Sequence, residues 1–421
     1  MTGSSLQKTP ALLLCGFLIL SMSASDSAGS SLSLADLLAL AEKHNPELTA
    51  ARTQIEGAEG DLITAKAYPN PEIQVGAGES VARDTGVTRG ILTGADIAQP
   101  IELPYVRRPR REAGEAGVDA AKAFYRTISL NVLTRVKQAF YNVLRQQELL
   151  AMAEANRSLL ESIRDKIRIR VEVGEASRYE LVKAEAELLG ATKNRESAAL
   201  RVEQAKTALR ALVAGRLPPD SDLVGELPAA RREPPNLDAL RDQVQRNHPA
   251  LIQARAEVDR ATSQLELEQA LRYPQPTIKA GVYREPNLEQ WRVDLIVPLP
   301  LWNQRQGPIA RAAADRARAD ALADRQLLSL LYELDTAITA YRIASQQIET
   351  FESGLLREAE AALKVAEAAY RLGERGILDY LDAQRTFQAV RVDYINALFD
   401  KNAALLEIER LRAQDYQDQS L

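Results

Sequence analysis

Arg375, Asp379 and Asp382 crowd beside the glycines Gly373 and Gly376, with Tyr370 just before them. Two carboxylates three residues apart share one helix face. Read alone, such a face is an ordinary solvated helix surface. No catalytic set accompanies it. The two histidines, His44 and His248, each lie within two residues of a proline near a helical start. That context points to capping or structure rather than acid–base work. Cys15 lies inside an N-terminal apolar run, and Met152 is the one methionine beyond that segment. This is a poor inventory for soft-metal ligation. Gly76–Ser80 reads GAGES, but it leads into no helix and so cannot cradle a phosphate as a glycine-rich loop does. We expect no enzyme, no cofactor and no resident metal.

The elements that carry these residues come in two copies. HNPELTAAR at His44–Arg52 is echoed by NHPALIQAR at Asn247–Arg255, and YPNPEIQVGAG from Tyr68 by YPQPTIKAGVY from Tyr273. IAQPIELP from Ile97 matches LIVPLPLW from Leu295. Tyr141 with Gln146 and Gln147 matches Tyr341 with Gln346 and Gln347. VGEASRYELVKAE from Val173 matches LGERGILDYLDAQ from Leu372. Five landmarks in one order mark a duplication. The boundaries expected are a first repeat at 29–215, a proline-rich link at 216–236, and a second repeat at 237–421.

Each copy reads as helix, hairpin, very long helix, tight turn and returning helix. The first helices are expected at Leu34–Ala67 and Leu237–Arg272, stopped by Pro69 and Pro71 or by Pro274 and Pro276. Short alternating strands follow, carrying Ile73, Val75 and Ala77, or Ile278, Ala280 and Val282. The clearest alternation is Trp291, Val293, Leu295 and Val297 against Arg292 and Asp294. Period two gives one apolar and one polar face, which suits a half-buried soluble strand or a membrane barrel strand equally. The long helices begin near Arg111 and Ile309 with no proline beyond. Leu130, Leu133, Val136, Phe140 and Leu144, then Leu159, Ile163, Ile167 and Val171, recur at helical spacing. From Arg111 to Val173 such a helix extends ~95 Å, a coiled-coil-like length. Gly174, Gly373 and Gly376 supply the turns.

Net charge of −5 without a basic stripe argues against a nucleic-acid partner. Residues 1–28 read as an export signal: Lys8, an apolar run at Ala11–Met22, then Ala24, Ser25 and Ala28 as cleavage candidates. The run is shorter than the ~20 residues that span a bilayer. Leu14 before Cys15, and GFLIL after it, disfavour lipidation.

The sequence resembles the TolC-like outer-membrane efflux family, nearest to its CzcC-type subgroup, which partners resistance-nodulation-division (RND) pumps for heavy metals. The resemblance covers nearly all of the chain after the leader. It rests on Leu34–Ile73, on VPLPLWNQRQGPIARA at Val297–Ala312, and on YRLGERGILDYLDAQRTF at Tyr370–Phe387. It implies a mainly α fold with a membrane β-barrel. Three protomers would each give four strands to a twelve-stranded barrel, with a helical tunnel across the periplasm. It implies a homotrimer in outer-membrane lipid, a periplasmic adaptor meeting the turns at Gly174, Glu175 and Ser177 and at Gly373, Glu374 and Gly376, and an inner-membrane RND pump. It places a gate at the tips, on Glu180, Tyr370, Arg375, Asp379 and Asp382, where Glu180 replaces the family's aspartate. Repeated threefold, Asp379 and Asp382 would form acidic rings that favour cations. The lipid-facing strand would be Trp291, Val293, Leu295 and Val297. A general drug or protein export conduit is the alternative of the same class. A soluble periplasmic coiled-coil scaffold is the alternative of another class.

Overall fold

The computed structural model describes residues 32–81, 89–218, 221–225 and 236–413. The expected leader with Cys15 lies outside them, as do Pro219, Pro228, Pro234 and Pro235 of the link.

Each repeat opens with two helices where the sequence suggested one. α1 (Leu34–His44) ends at Asn45 and α2 (Pro46–Lys66) starts on a proline; α5 (Leu237–Asn247) and α6 (Pro249–Ala270) break in the same way at His248. Proline is well placed at a first helical position, whose amide is an orphan in any case. The residue before it caps the new helix. Asn45 Oδ1 accepts the Glu47 amide at 2.8 Å, and His248 Nδ1 accepts the Ala250 amide at 3.2 Å. The histidine therefore serves as a cap, as its context suggested, and it stands where Asn45 stands in the other repeat.

β1 (Glu72–Ser80) and β2 (Gly90–Pro100) follow in the first repeat, and β3 (Thr277–Glu285) and β4 (Leu288–Ile296) in the second. They form one antiparallel sheet in the order β1-β2-β3-β4. The first long helix, α3 (Pro104–Glu172), has 69 residues, about 100 Å. It begins earlier than Arg111 because Pro104 serves at its first turn and Pro109 is absorbed in the next. α4 (Arg178–Leu212) returns beside it.

The second repeat departs from the expected unbroken helix. α7 (Gln306–Thr350) passes through a single π turn at Phe351–Leu355, containing Gly354, into α8 (Leu356–Arg371), and α9 (Ile377–Arg412) returns. The turn is braced by the Phe351–Tyr394 ring contact at 5.8 Å and by the Tyr394 hydroxyl donating to Glu352 at 3.0 Å.

Three apolar clusters hold the helices. One joins Leu37, Val136, Phe140 and Leu209 in the first repeat; another joins Leu240, Leu334, Ile338 and Ile408 in the second. The third, with Ile163, Ile167, Ala184, Ile377 and Leu381, ties both repeats together near the turns. α2 packs on α3, α3 on α6 and α6 on α7, so these helices form one continuous row across both repeats. Leu328, Tyr332, Ile343 and Val365 remain exposed along the second repeat's helices.

At the break between α5 and α6, flanked by Val244 and Leu251 of the second cluster, His248 is 1% exposed. Burial, then the neighbouring Arg410 guanidinium, pushes its imidazole down to about 4, against a smaller opposing pull from Glu407. A depressed imidazole stabilises the fold fully above about pH 6.5, and that stabilisation is lost as pH falls toward 4. The ceiling is about 3 kcal/mol. His248→Asn, which copies the cap at Asn45, is expected to remove most of the acid-induced fall in thermal midpoint between pH 6.5 and 4. An unchanged pH profile would assign the acid sensitivity to other groups.

Candidate functional site

Two regions carry the functional expectations: the sheet at one end and the helical turns at the other. In the sheet, register decides the faces. Val75 pairs with Ala95, Ala95 with Val282, and Val282 with Trp291; Ile73, Ile97, Ala280 and Val293 form the adjoining row. All of these side chains share one face. Trp291 is 81% exposed, Val75 80% and Val293 63%, a contiguous apolar surface of the kind that marks a partner or membrane contact. Trp291, Val293 and Leu295 lie in β4, whereas Val297 lies just past its end, exposed beside the prolines that stop the strand.

The opposite face is polar and more shielded. Lys279 Nζ lies 2.9 Å from Asp96 Oδ2, with side chains 21% and 8% exposed. It also donates to Gln74 Oε1 at 3.3 Å. The Tyr283 hydroxyl donates to Asp96 Oδ1 at 3.1 Å, and the Arg292 guanidinium sits 5.1 Å from the Tyr283 ring centre. One connected group thus spans all four strands. It requires glycine beneath it: a Cβ on Gly94 would come within 2.7 Å of the Tyr283 ring, and one on Gly281 within 2.6 Å of Asp96 Cβ. Both edges, β1 and β4, lack a neighbouring strand among the described residues.

At the other end the two turns are built alike. Gly174 (φ 79°) and Gly373 (φ 74°) occupy the left-handed region. Behind them the Glu175 amide donates to Arg170 O at 2.7 Å and the Glu374 amide to Ala369 O at 2.9 Å. These bonds satisfy helix-end carbonyls in the way a left-handed glycine permits. Gly376 has φ −75° and simply precedes α9, so its backbone suits any residue. Ser177 caps α4 by accepting the Glu180 amide at 3.3 Å.

The gate candidates lie within this end but pair differently from one another. Arg375, in the turn, reaches Asp379 in the first turn of α9 at 3.6 Å, with side chains 68% and 52% exposed. Tyr370 stacks on Tyr380 at 6.1 Å, and Arg170 lies 5.5 Å from the Tyr370 ring centre. Asp382 is exposed, and Glu180 stands on α4, half-buried. The links that join the two coils were not foreseen. Arg385 of α9 pairs with Glu187 of α4, and Gln384 Nε2 donates to Asn156 Oδ1 of α3 at 3.0 Å. Arg385 follows Asp382 closely enough to suggest a shared helix region, but nothing near it in sequence names a partner 198 positions away. Burial pushes the Tyr380 phenol up, so it stays neutral.

No helix among the described residues is long and apolar enough to cross a membrane, and no group of three or more His, Cys, Asp or Glu is arranged to hold a metal ion. The sequence profile of the family described as "Outer membrane efflux protein" matches residues 37–215 and 240–413. The chain belongs to that family. The cobalt-zinc-cadmium resistance protein CzcC of Cupriavidus metallidurans is 29% identical over 91% of this chain and 90% of its own. The outer membrane protein TolC of Vibrio cholerae is 23% identical over 91% of this chain and 92% of its own. Among solved structures, the open-state outer membrane channel MtrE of Neisseria gonorrhoeae superposes with a TM-score of 0.77 at 18% identity, covering 90% of this chain and 88% of that one. The CmeC outer membrane channel of Campylobacter jejuni gives 0.77 at 17%, covering 97% and 94%. The efflux family's fold is therefore a mainly helical channel protein with a small sheet at one end.

Proposed function

We propose that this efflux-family protein is the passive outer-membrane exit duct of a tripartite RND-type system, working as a homotrimer and carrying heavy-metal cations. The sheet carries this reading. It has an apolar outer face, a polar inner face and two open edges, and an open edge cannot rest in lipid. Cyclic assembly removes the edges, and three copies of four strands make a closed barrel of twelve. The metal cargo is supported by likeness to CzcC and to the nickel-cobalt-cadmium resistance protein NccC, 25% identical over 65% of this chain. A general export conduit is supported by the match to TolC over a similar span.

The helical turns are the expected meeting place for a periplasmic adaptor, with the RND pump beyond it. Fractionation tests assembly: the chain should stay with outer membranes until detergent is added, then run as a trimer. A freely soluble periplasmic monomer would favour the scaffold reading and end this one. Deletion tests cargo, since cells lacking the chain should lose resistance to cobalt, zinc or cadmium while keeping dye and bile-salt tolerance. The reverse pattern would favour the general conduit.

At the tips, Arg375 with Tyr370, and Glu180 on the facing coil, hold the closed state, while Asp379 and Asp382 repeat as acidic rings. One exposed pair is worth only ~0–1 kcal/mol, but three copies act on one concerted motion. Arg375→Ala with Tyr370→Phe is expected to raise single-channel conductance. Asp379→Asn with Asp382→Asn should weaken cation preference instead. If both double variants conduct as the parent does, these side chains form a solvated surface and the gate lies elsewhere.

A further inference from the structure

The polar face of the sheet holds more acid than its apparent neutrality suggests. Asp96 of β2 and Asp294 of β4 flank Lys279 of β3: Lys279 is registered directly across from Asp294, and its Nζ lies 2.9 Å from Asp96 Oδ2. Diagonal and direct neighbours of this kind interact across a sheet. Arg292, over the Tyr283 ring, supplies the second positive charge. Threefold repetition inside a barrel would place this group as a belt around the exit passage.

We propose that Lys279 is a specificity-determining residue of the barrel lumen. It is a tethered cation that, together with Arg292, balances the Asp96 and Asp294 carboxylates, so the exit does not retain the multivalent cations passing through it. Without Lys279 the two carboxylates of each copy would face only Arg292, a surplus of one negative charge per copy repeated around the ring, which would bind such ions as readily as it admits them. Release at the final barrier needs weak binding there. Lys279 achieves this without removing the acids, of which Asp96, with Tyr283, Lys279 and Gln74, ties the strands in register. At the tips, by contrast, the cation paired with Asp379 is the exposed Arg375, and Asp382 is itself exposed, so cation preference at the entrance and non-retention at the exit are separate properties. The inference rests on the sheet forming part of a closed trimeric barrel.

Planar-bilayer recordings on the purified full-length protein test it, with Zn²⁺ added to the extracellular side as the probe. Lys279→Gln is expected to shift the reversal potential toward cations and to tighten extracellular Zn²⁺ block about tenfold. Lys279→Arg should restore wild-type behaviour. Where Lys279→Gln lowers trimer yield too far to record, Asp294→Asn provides the second arm. It removes an acid that makes no hydrogen bond to Lys279, and should shift selectivity toward anions and leave Zn²⁺ block weak. Conducting trimers whose selectivity and block are unchanged in these variants overturn the proposal and leave the channel reading intact. A wild-type preparation that forms no trimer and no pore overturns the channel reading itself.

Discussion

Val293→Arg is expected to abolish assembled trimer, whereas Gln290→Arg leaves yield near that of the parent. The two positions lie on the same strand but on opposite faces. Val293 sits near the middle of β4 in the apolar row and is 63% exposed. A lipid-facing arginine at the bilayer midplane costs ~2–4 kcal/mol, falling to ~0–1 near the interface. In the proposed trimer three copies enter one barrel, so the cost is incurred three times in a single assembly equilibrium. The strand already tolerates an arginine at position 292, one residue away on the polar face, beside the Tyr283 ring. A change of face, not of composition, is therefore being measured. Leu295→Arg, one pair of residues nearer the end of the strand, should be less harmful than Val293→Arg. Native gel yield and heat-induced dissociation check all three. Equal loss at Val293 and Gln290 would remove the assignment of a lipid face to this strand, and greater loss at Gln290 would reverse it.

The faces of this sheet could be read from the sequence because period-two alternation is local: Trp291, Val293 and Leu295 announce themselves without knowledge of any partner. The network on the other face could not. Asp96 and Lys279 belong to different repeats, and their meeting depends on how β2 and β3 register, which no nearby residue encodes. The same division runs through the helices. Leu130, Phe140, Ile163 and Ile167 show their burial through spacing, and the structure buries them. The breaks at Asn45 and His248 escaped a periodicity reading because Pro46 and Pro249 leave the apolar rhythm nearly intact while ending the helix before them. The π turn at Phe351–Leu355 leaves the helical rhythm running through it and has only Gly354 to mark it. At the tips, the turn glycines were plain from composition. The ties between coils through Arg385 and Gln384 needed the tertiary fold.

Gly373→Val is expected to abolish efflux while trimer yield stays close to that of the parent. Gly373 has φ 74°, a conformation that costs a side-chain-bearing residue ~1–2 kcal/mol, and more for a β-branched one. No atom lies within 4 Å of a Cβ placed there, so the effect comes from backbone conformation rather than collision. The strain falls on a turn whose flanking residues Leu372, Glu374 and Arg375 are all exposed, beyond the cluster of Ile377, Tyr380 and Leu381 that holds the coils. Relaxing it therefore redirects the turn without unpacking that cluster. Asparagine tolerates the left-handed region far better than valine, so Gly373→Asn should keep most of the activity and Gly373→Ala should fall between. That order, Gly, Asn, Ala, Val, follows backbone strain and not side-chain size, since alanine is smaller than asparagine. Metal resistance measured alongside crosslinking of the turn to the proposed periplasmic adaptor reads both consequences. A valine variant that keeps full resistance would remove the turn from the docking surface. Loss of trimer would make the glycine a folding residue instead.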